Sequence, residues 1–276
     1  MKRFLGWLGL LLIPMCTLAQ VFGTVDAVNG AVEIVSTDGT TATPALGQKL
    51  LVGQTVQTHK DGELHAVTED GGLLALRPNS TFKMLHYQAT QDDKSVIDMS
   101  LVRGALRSIT GWIGKLNPGG YRVTTSTATI GIRGTDHEVT VVDVGGGRDH
   151  AGTYDSVLEG ATIVRSAQGE LHVQAGQNGF AAKDIQALPV LLADRPEFLG
   201  QRLLRLEERI QTRKENLRQR MREVIGDRLE GRLEGRFEDR PEMARAVREK
   251  WDNLNDDQRE TARKRLIRRA QKRNGD

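Results

Sequence analysis

The sequence predicts a mainly β domain followed by an α-helical C-terminal extension. Three observations carry this. From Val21 to about Ala187, β-branched and apolar residues alternate with polar ones in short runs broken by Gly, Asp and Asn. After Pro196 the period lengthens to three or four: Leu199, Leu203, Leu206, Ile210, Leu217, Met221 and Val224 form one stripe. The charge changes with the period. Residues 20–194 hold 13 Lys/Arg against 19 Asp/Glu (net −6), and residues 195–276 hold 24 against 17 (net +7). These shifts place a β domain over residues 20–190 and a charged helical extension over residues 195–274.

The N-terminus reads as a leader. Lys2 and Arg3 precede an apolar stretch from Phe4 to Met15, and Thr17-Leu18-Ala19 ends in small residues. This is the layout of a secretory signal peptide with cleavage expected after Ala19, and the apolar stretch is short for a membrane span. An uncleaved anchor is the alternative. The only cysteine, Cys16, lies in the leader, and the large Met15 before it argues against a lipoprotein signal. The mature chain is therefore expected to lack disulfides and cysteine-based metal sites, and to be periplasmic or secreted.

Within the β domain, Asn29-Gly30 is the strongest short hairpin signal, set before the strand of Val32 and Ile34. Asp38-Gly39 marks the next turn. Leu64, Ala66 and Thr68 share a strand face that ends at Asp70-Gly71-Gly72. Phe82, Met84 and His86 share another, and Gly145-Gly146-Gly147 is a loop. In residues 121–141, Val123, Thr125, Thr127 and Thr129 read as one strand face. Ile130 and Ile132 follow on the other parity, with Gly131 marking a bulge or close approach. A corner is expected at Arg133-Gly134-Thr135, after which Val139 and Val141 resume the alternation.

Residues 30–39 (GAVEIVSTDG) and 160–169 (GATIVRSAQG) agree at Gly, Ala, Ser and Gly, and each copy is followed by a further Gly, Gly47 or Gly176. A repeated strand-turn-strand unit suggests a β-solenoid-like or two-layer β domain.

The segment Tyr121-x-Val123-x-Thr125 with Ala128-x-Ile130-Gly131-Ile132-Arg133-Gly134-Thr135 resembles the most distinctive part of the FecR domain family. Three earlier stretches match in the family's order: residues 52–58 (VGQTVQT), 74–82 (LALRPNSTF) and 101–107 (LVRGALR). The chain is thus similar to an exported FecR-domain protein. The resemblance implies structural roles for Gly104, Tyr121, Thr125, Ile130, Gly131, Arg133, Gly134 and Thr135, and favours a solenoid-like β fold. It also implies a non-catalytic module for recognition, signalling or scaffolding in the cell envelope. The family's signalling members receive a signal from an outer-membrane transporter through this domain and control a sigma factor through a cytoplasmic segment. A cleavable leader in place of that segment and its span puts direct sigma-factor control in doubt here.

Catalytic and metal-binding readings are weaker. His59, His65, His86, His137, His150 and His172 include no pair at metal-binding spacing, and His65 and His86 are expected at the surface or rim. Asp136 and Glu138 flank His137 and share a strand face. They could hold a cation or act as acid and base. The favoured reading is a solvated strand, so neither an enzyme nor a cofactor is expected. Arg133, between Gly131 and Gly134, is expected to tie backbone carbonyls together.

The extension carries Glu207, Glu208, Arg209, Lys214 and Glu215, placed for i,i+4 pairs. A four-residue repeat follows over residues 227–242. A second helix carries Met243, Ala246, Val247 and Trp251. A last one begins near Asp256 and ends in a basic cluster. Arg263, Arg265, Arg268 and Arg269 of that cluster are candidate interaction residues. In an exported protein they fit an envelope protein, an acidic cell-wall polymer or a lipid surface, and not nucleic acid. A cell-wall or polysaccharide-binding module with a basic tail is the alternative function. The apolar stripes also allow self-association as a coiled coil, or packing of the tail on the acidic β domain.

Overall fold

The computed structural model of the protein describes residues 20–90, 94–144, 150–183, 187–194, 196, 210–216 and 219. The described chain is mainly β. Its strands are β1 (Val21–Asn29), β2 (Val32–Val35), β3 (Thr41–Ala42), β4 (Lys49–Leu51), β5 (Thr55–Thr58), β6 (Glu63–Thr68), β7 (Leu73–Leu76) and β8 (Thr81–Gln88). They continue as β9 (Val96–Ile109), β10 (Tyr121–Thr124), β11 (Thr129–Val142), β12 (Gly152–Arg165), β13 (Glu170–Gln174), β14 (Asn178–Ala182) and β15 (Val190–Leu192).

Hydrogen bonding joins all fifteen strands into one sheet that folds into two layers. One layer runs β3-β2-β5-β8-β9-β10-β11-β12-β13, and the other β4-β1-β6-β7-β9-β11-β12-β14-β15. We call them layers A and B. The long strands β9, β11 and β12 belong to both, and each changes layer at a glycine. In β9 the partner switches from β8 to β7 and β11 at Gly104. The register of β11 slips between Arg133 and Asp136, around Gly134. In β12 the partner changes from β14 to β13 around Gly160. These glycines have φ of +84°, +62° and +80°, a region costly to residues with a Cβ. Space is equally restrictive. A Cβ on Gly104 would stand 2.5 Å from Ser80 Cα, and one on Gly160 would stand 2.4 Å from the Gly134 carbonyl oxygen.

The main core lies between the layers. Val32, Ile34, Val56, Phe82, Met84, Ile97, Met99 and Val123 from layer A meet Phe22, Val25, Leu64, Leu74, Leu76, Leu106 and Val139 from layer B in one buried cluster. Full burial of a side chain of this size contributes about 2 kcal/mol. Polar ties also cross the core. Tyr121 and Ser108 hydroxyls are 2.9 Å apart, and the Asp70 amide donates to the Tyr87 hydroxyl at 2.7 Å. The domain is thus one continuous fifteen-stranded sheet folded around a shared core.

The short repeat is real in three dimensions. Residues 30–35 cross from β1 in layer B to β2 in layer A, as residues 160–165 cross within β12. Each copy closes on a Gly-Gln corner. Gly47 and Gly176 donate to Val25 and Val157 carbonyls, and Gln48 and Gln177 accept from the amides of Ala45 and Gln174 through their side chains. Gly53-Gln54 builds the same corner, with Gln54 accepting from the Leu51 amide at 2.8 Å.

Several local expectations are corrected. Asn29-Gly30 makes no hairpin, because β1 pairs with β4 and β6 while β2 pairs with β3 and β5. Gly30 (φ +64°) instead turns the chain between layers, packed on the Asp61 carbonyl. Thr125 and Thr127 do not continue a strand. The Thr125 amide and hydroxyl both engage the Ala128 carbonyl, closing a β10–β11 turn, as hydroxyl residues do when they compete with the ladder. No bulge falls at Gly131, which pairs regularly with Arg122 and Ile163. The corner at Gly134 is a bend within one strand. A register shift between Met84 and His86 leaves His86 exposed and buries Tyr87.

Of the C-terminal extension, residues 210–216 and Gln219 are described and helical. Apart from Pro196, the rest of the expected extension lies outside the described residues, including Arg263, Arg265, Arg268 and Arg269. So do the leader and the triple-glycine loop.

Candidate functional site: the outer face of layer B

Strand β7 is buried at every position. A strand apolar on both sides is covered on both sides. Leu74 and Leu76 enter the main core, while Leu73 and Ala75 join Ile109 of β9 in a second cluster on the outer face. Ile210 of the helical segment completes that cluster at 0% exposure, with Val67 and Trp112 beside it.

Beyond this apolar pocket the outer face is ionic. The pairings of β6 with β7, β7 with β9 and β9 with β11 bring Glu63, His65, Arg77, Arg107, Asp136 and Glu138 onto neighbouring positions. All six are buried. Arg107 clamps Asp136 with two bonds, Nε to Oδ1 and Nη2 to Oδ2, each 2.9 Å. Arg77 donates to Glu138 through Nε at 3.0 Å and also through Nη2, and its Nη1 lies 3.8 Å from Glu63. Glu63 in turn meets His65 Nε2 at 2.9 Å. Four buried atoms here make no hydrogen bond to another described residue: His65 Nδ1, Arg77 Nη1, Glu138 Oε1 and Thr140 Oγ1.

The helical segment supplies the remaining cations. Lys214 Nζ donates to Asp136 at 2.6 Å and lies 2.9 Å from Glu159, and Arg213 pairs with Asp26. Burial works to raise the Asp136 carboxyl. The Arg107 bonds and charge, joined by those of Lys214, outweigh it and hold the group below its ordinary value. Asp136 is thereby held as a carboxylate between the Arg107 guanidinium and the Lys214 ammonium.

This corrects the expectation of a solvated strand. Asp136 and Glu138 do share a face with His137 opposite, but both are buried and ion-paired. His137 points into the core, where Nδ1 meets Asp155 at 2.7 Å and Thr162 donates to the other Asp155 oxygen. His65 is fully buried and not at the rim. Lys214 pairs with the β domain, where the sequence suggested pairs along its own helix. Among the described residues, no group of three or more His, Cys, Asp and Glu is arranged to hold a metal ion.

The family-motif residues mostly build the scaffold. Gly104 and Gly134 make layer crossings, and Ile130 is in the main core. Tyr121 is buried against Ser108, and burial together with the Asp70 charge pushes its hydroxyl far above the ordinary phenol value. Thr125 closes its turn. The Thr135 carbonyl accepts from the Thr110 amide at 3.0 Å. Arg133 pairs through its backbone with Ala161; its side chain lies outside the described residues. Sequence reasoning missed Arg77, Arg107 and Glu63 as site residues. The available signal was an Arg in phase with Leu73 and Ala75, and another in phase with Ile109, on strands apolar on both faces.

Residues 54–162 match the family model described as FecR protein. No curated relative matches the chain. Two crystal structures of a candidate anti-sigma factor from Parabacteroides distasonis are similar at 12% identity, with TM-scores of 0.41 and 0.40. Each match covers 53% of this chain and 62% of the other, so the chain spans under two thirds of their length.

Proposed function

We propose, on the match of residues 54–162 to the FecR family model, that the protein is a non-catalytic, signalling-type interaction module of the cell envelope. It recognises a protein partner through the outer face of layer B. The observation that carries this reading is the make-up of that face: an apolar pocket of Leu73, Ala75 and Ile109 beside carboxylates of Asp26, Asp136 and Glu159, engaged by a basic helical segment. Apolar anchors ringed by complementary charge are the chemistry of helix-in-groove recognition. The clamped state of Asp136 and Glu138 supports a binding role over a hydrolytic one. The leader-like residues 1–19 support export to the periplasm or beyond.

Crosslinking the tagged full-length protein in cells tests this, beside a version ending at Asp194. Captured proteins are identified by mass spectrometry, and the mature N-terminus is sequenced. One discrete envelope protein captured by both versions supports recognition by the β domain. Capture that requires the tail would move recognition to the tail. A mature chain retaining residues 1–19 would overturn the export reading.

A further inference from the structure

We propose that residues 210–216 are a resident ligand: an intramolecular plug that holds the outer face of layer B closed against a partner helix of the same chemistry. This rests on the proposed recognition role of that face.

The segment holds the face at three points. Ile210, Arg213 and Lys214 stand at i, i+3 and i+4, the spacing that places side chains on one side of a helix. Ile210 fills the apolar pocket, Arg213 reaches Asp26, and Lys214 lies between Asp136 and Glu159. Electrostatics argues that the place of Lys214 belongs to a cation. The buried face holds three carboxylates, Glu63, Asp136 and Glu138, against two guanidiniums, Arg77 and Arg107. Carboxylates thus outnumber guanidiniums on the face, where His65 Nε2 also meets Glu63. Lys214, itself 7% exposed, adds a further buried cation beside Asp136. A buried net charge is costly, so the face favours an occupant that brings a positive group four positions after an aliphatic one.

The partner is then a basic amphipathic helix with an aliphatic residue followed at three and four positions by Arg and Lys. The chain's own segment competes with it as a tethered ligand, which a partner in trans must displace. Binding in trans is therefore weak until the segment is displaced, which makes the plug a regulator of the recognition face.

A fluorescent synthetic peptide of residues 205–221 tests the plug by anisotropy against full-length wild-type protein and the Lys214→Glu variant. The expected result is at least tenfold tighter peptide binding to the variant, lost when Asp136→Asn is added. Equal affinity for wild type and variant, or no binding to the variant, overturns the proposal. Should Lys214→Glu fail to fold, judged by its melting curve, Arg213→Glu at the half-exposed rim carries the same comparison. Peptide binding to the opened face without any envelope protein captured in cells would leave the plug standing and remove the proposed envelope partner.

Discussion

Lys214 Nζ meets Asp136 Oδ2 at 2.6 Å across 78 positions of sequence, and both side chains are less than a tenth exposed. The bond joins the helical segment to the strand that carries the most distinctive family motif. Ile210 and Arg213 attach the same segment. Lys214→Met keeps the aliphatic stem and removes the charge. The expected loss is about 1–3 kcal/mol, felt first in the docking of the segment. Hydrogen exchange should therefore accelerate at residues 210–216 while the melting temperature of the β domain moves little. Unchanged protection at 210–216 would show that Lys214 does not hold the segment.

Two buried aspartates should respond to pH with opposite sign. Asp136 is held below its ordinary value of 3.8. Its contribution is present above that value and is lost as pH falls through its lower folded value. Asp70 is raised by burial, which outweighs the bonds from Thr68, Ile113 and Tyr87. Its contribution is present below 3.8 and is lost as pH rises through its folded value. Denaturant melts between pH 2 and 7 should show Asp136→Asn flattening the acid-side fall in stability. Asp70→Asn should remove a penalty near neutral pH, staying within about 1 kcal/mol of wild type. An Asp70→Asn loss as large as that of Asp70→Ala would contradict the assigned sign.

The motif glycines are not equivalent. Gly104→Ala combines a φ of +84° with a Cβ 2.5 Å from Ser80 Cα, so a loss of about 3 kcal/mol or more is expected. Gly131→Ala meets the end of the flexible Arg165 side chain at 3.2 Å and the Ile163 carbonyl oxygen at an ordinary 3.9 Å, and should stay within about 1 kcal/mol of wild type. Equal losses in urea melts would refute the layer-crossing role given to Gly104.

The Gly-Gln corners depend on a side-chain acceptor. Gln54→Ala leaves the Leu51 amide without its partner and should cost about 1 kcal/mol. Gln54→Glu keeps a carbonyl-type oxygen and should recover most of that loss at pH 7. Failure of Glu to recover more than Ala would assign the effect to backbone propensity instead.

Much of this protein could be read along the chain. Period-two alternation of Val, Ile and Thr gave a mainly β domain, and the faces of Leu64 and Ala66 or Phe82 and Met84 came out as expected. The agreement between residues 30–39 and 160–169 reflects a shared crossing between layers. These features were legible because they are local: φ preference, β-branching and side-chain parity act over a few residues. What covers each face is not local. Alternation assigned Asp136 and Glu138 to one side but could not reveal that Arg77, Arg107 and Lys214 would meet them there. Asn29-Gly30 carried the same turn chemistry a hairpin needs, but only the distant pairings of β1 with β6 and β2 with β5 made it a crossing. The sequence by itself determined strands, turns and the family resemblance. The tertiary structure decided which charges are buried together, because their burial depends on partners brought from far along the chain.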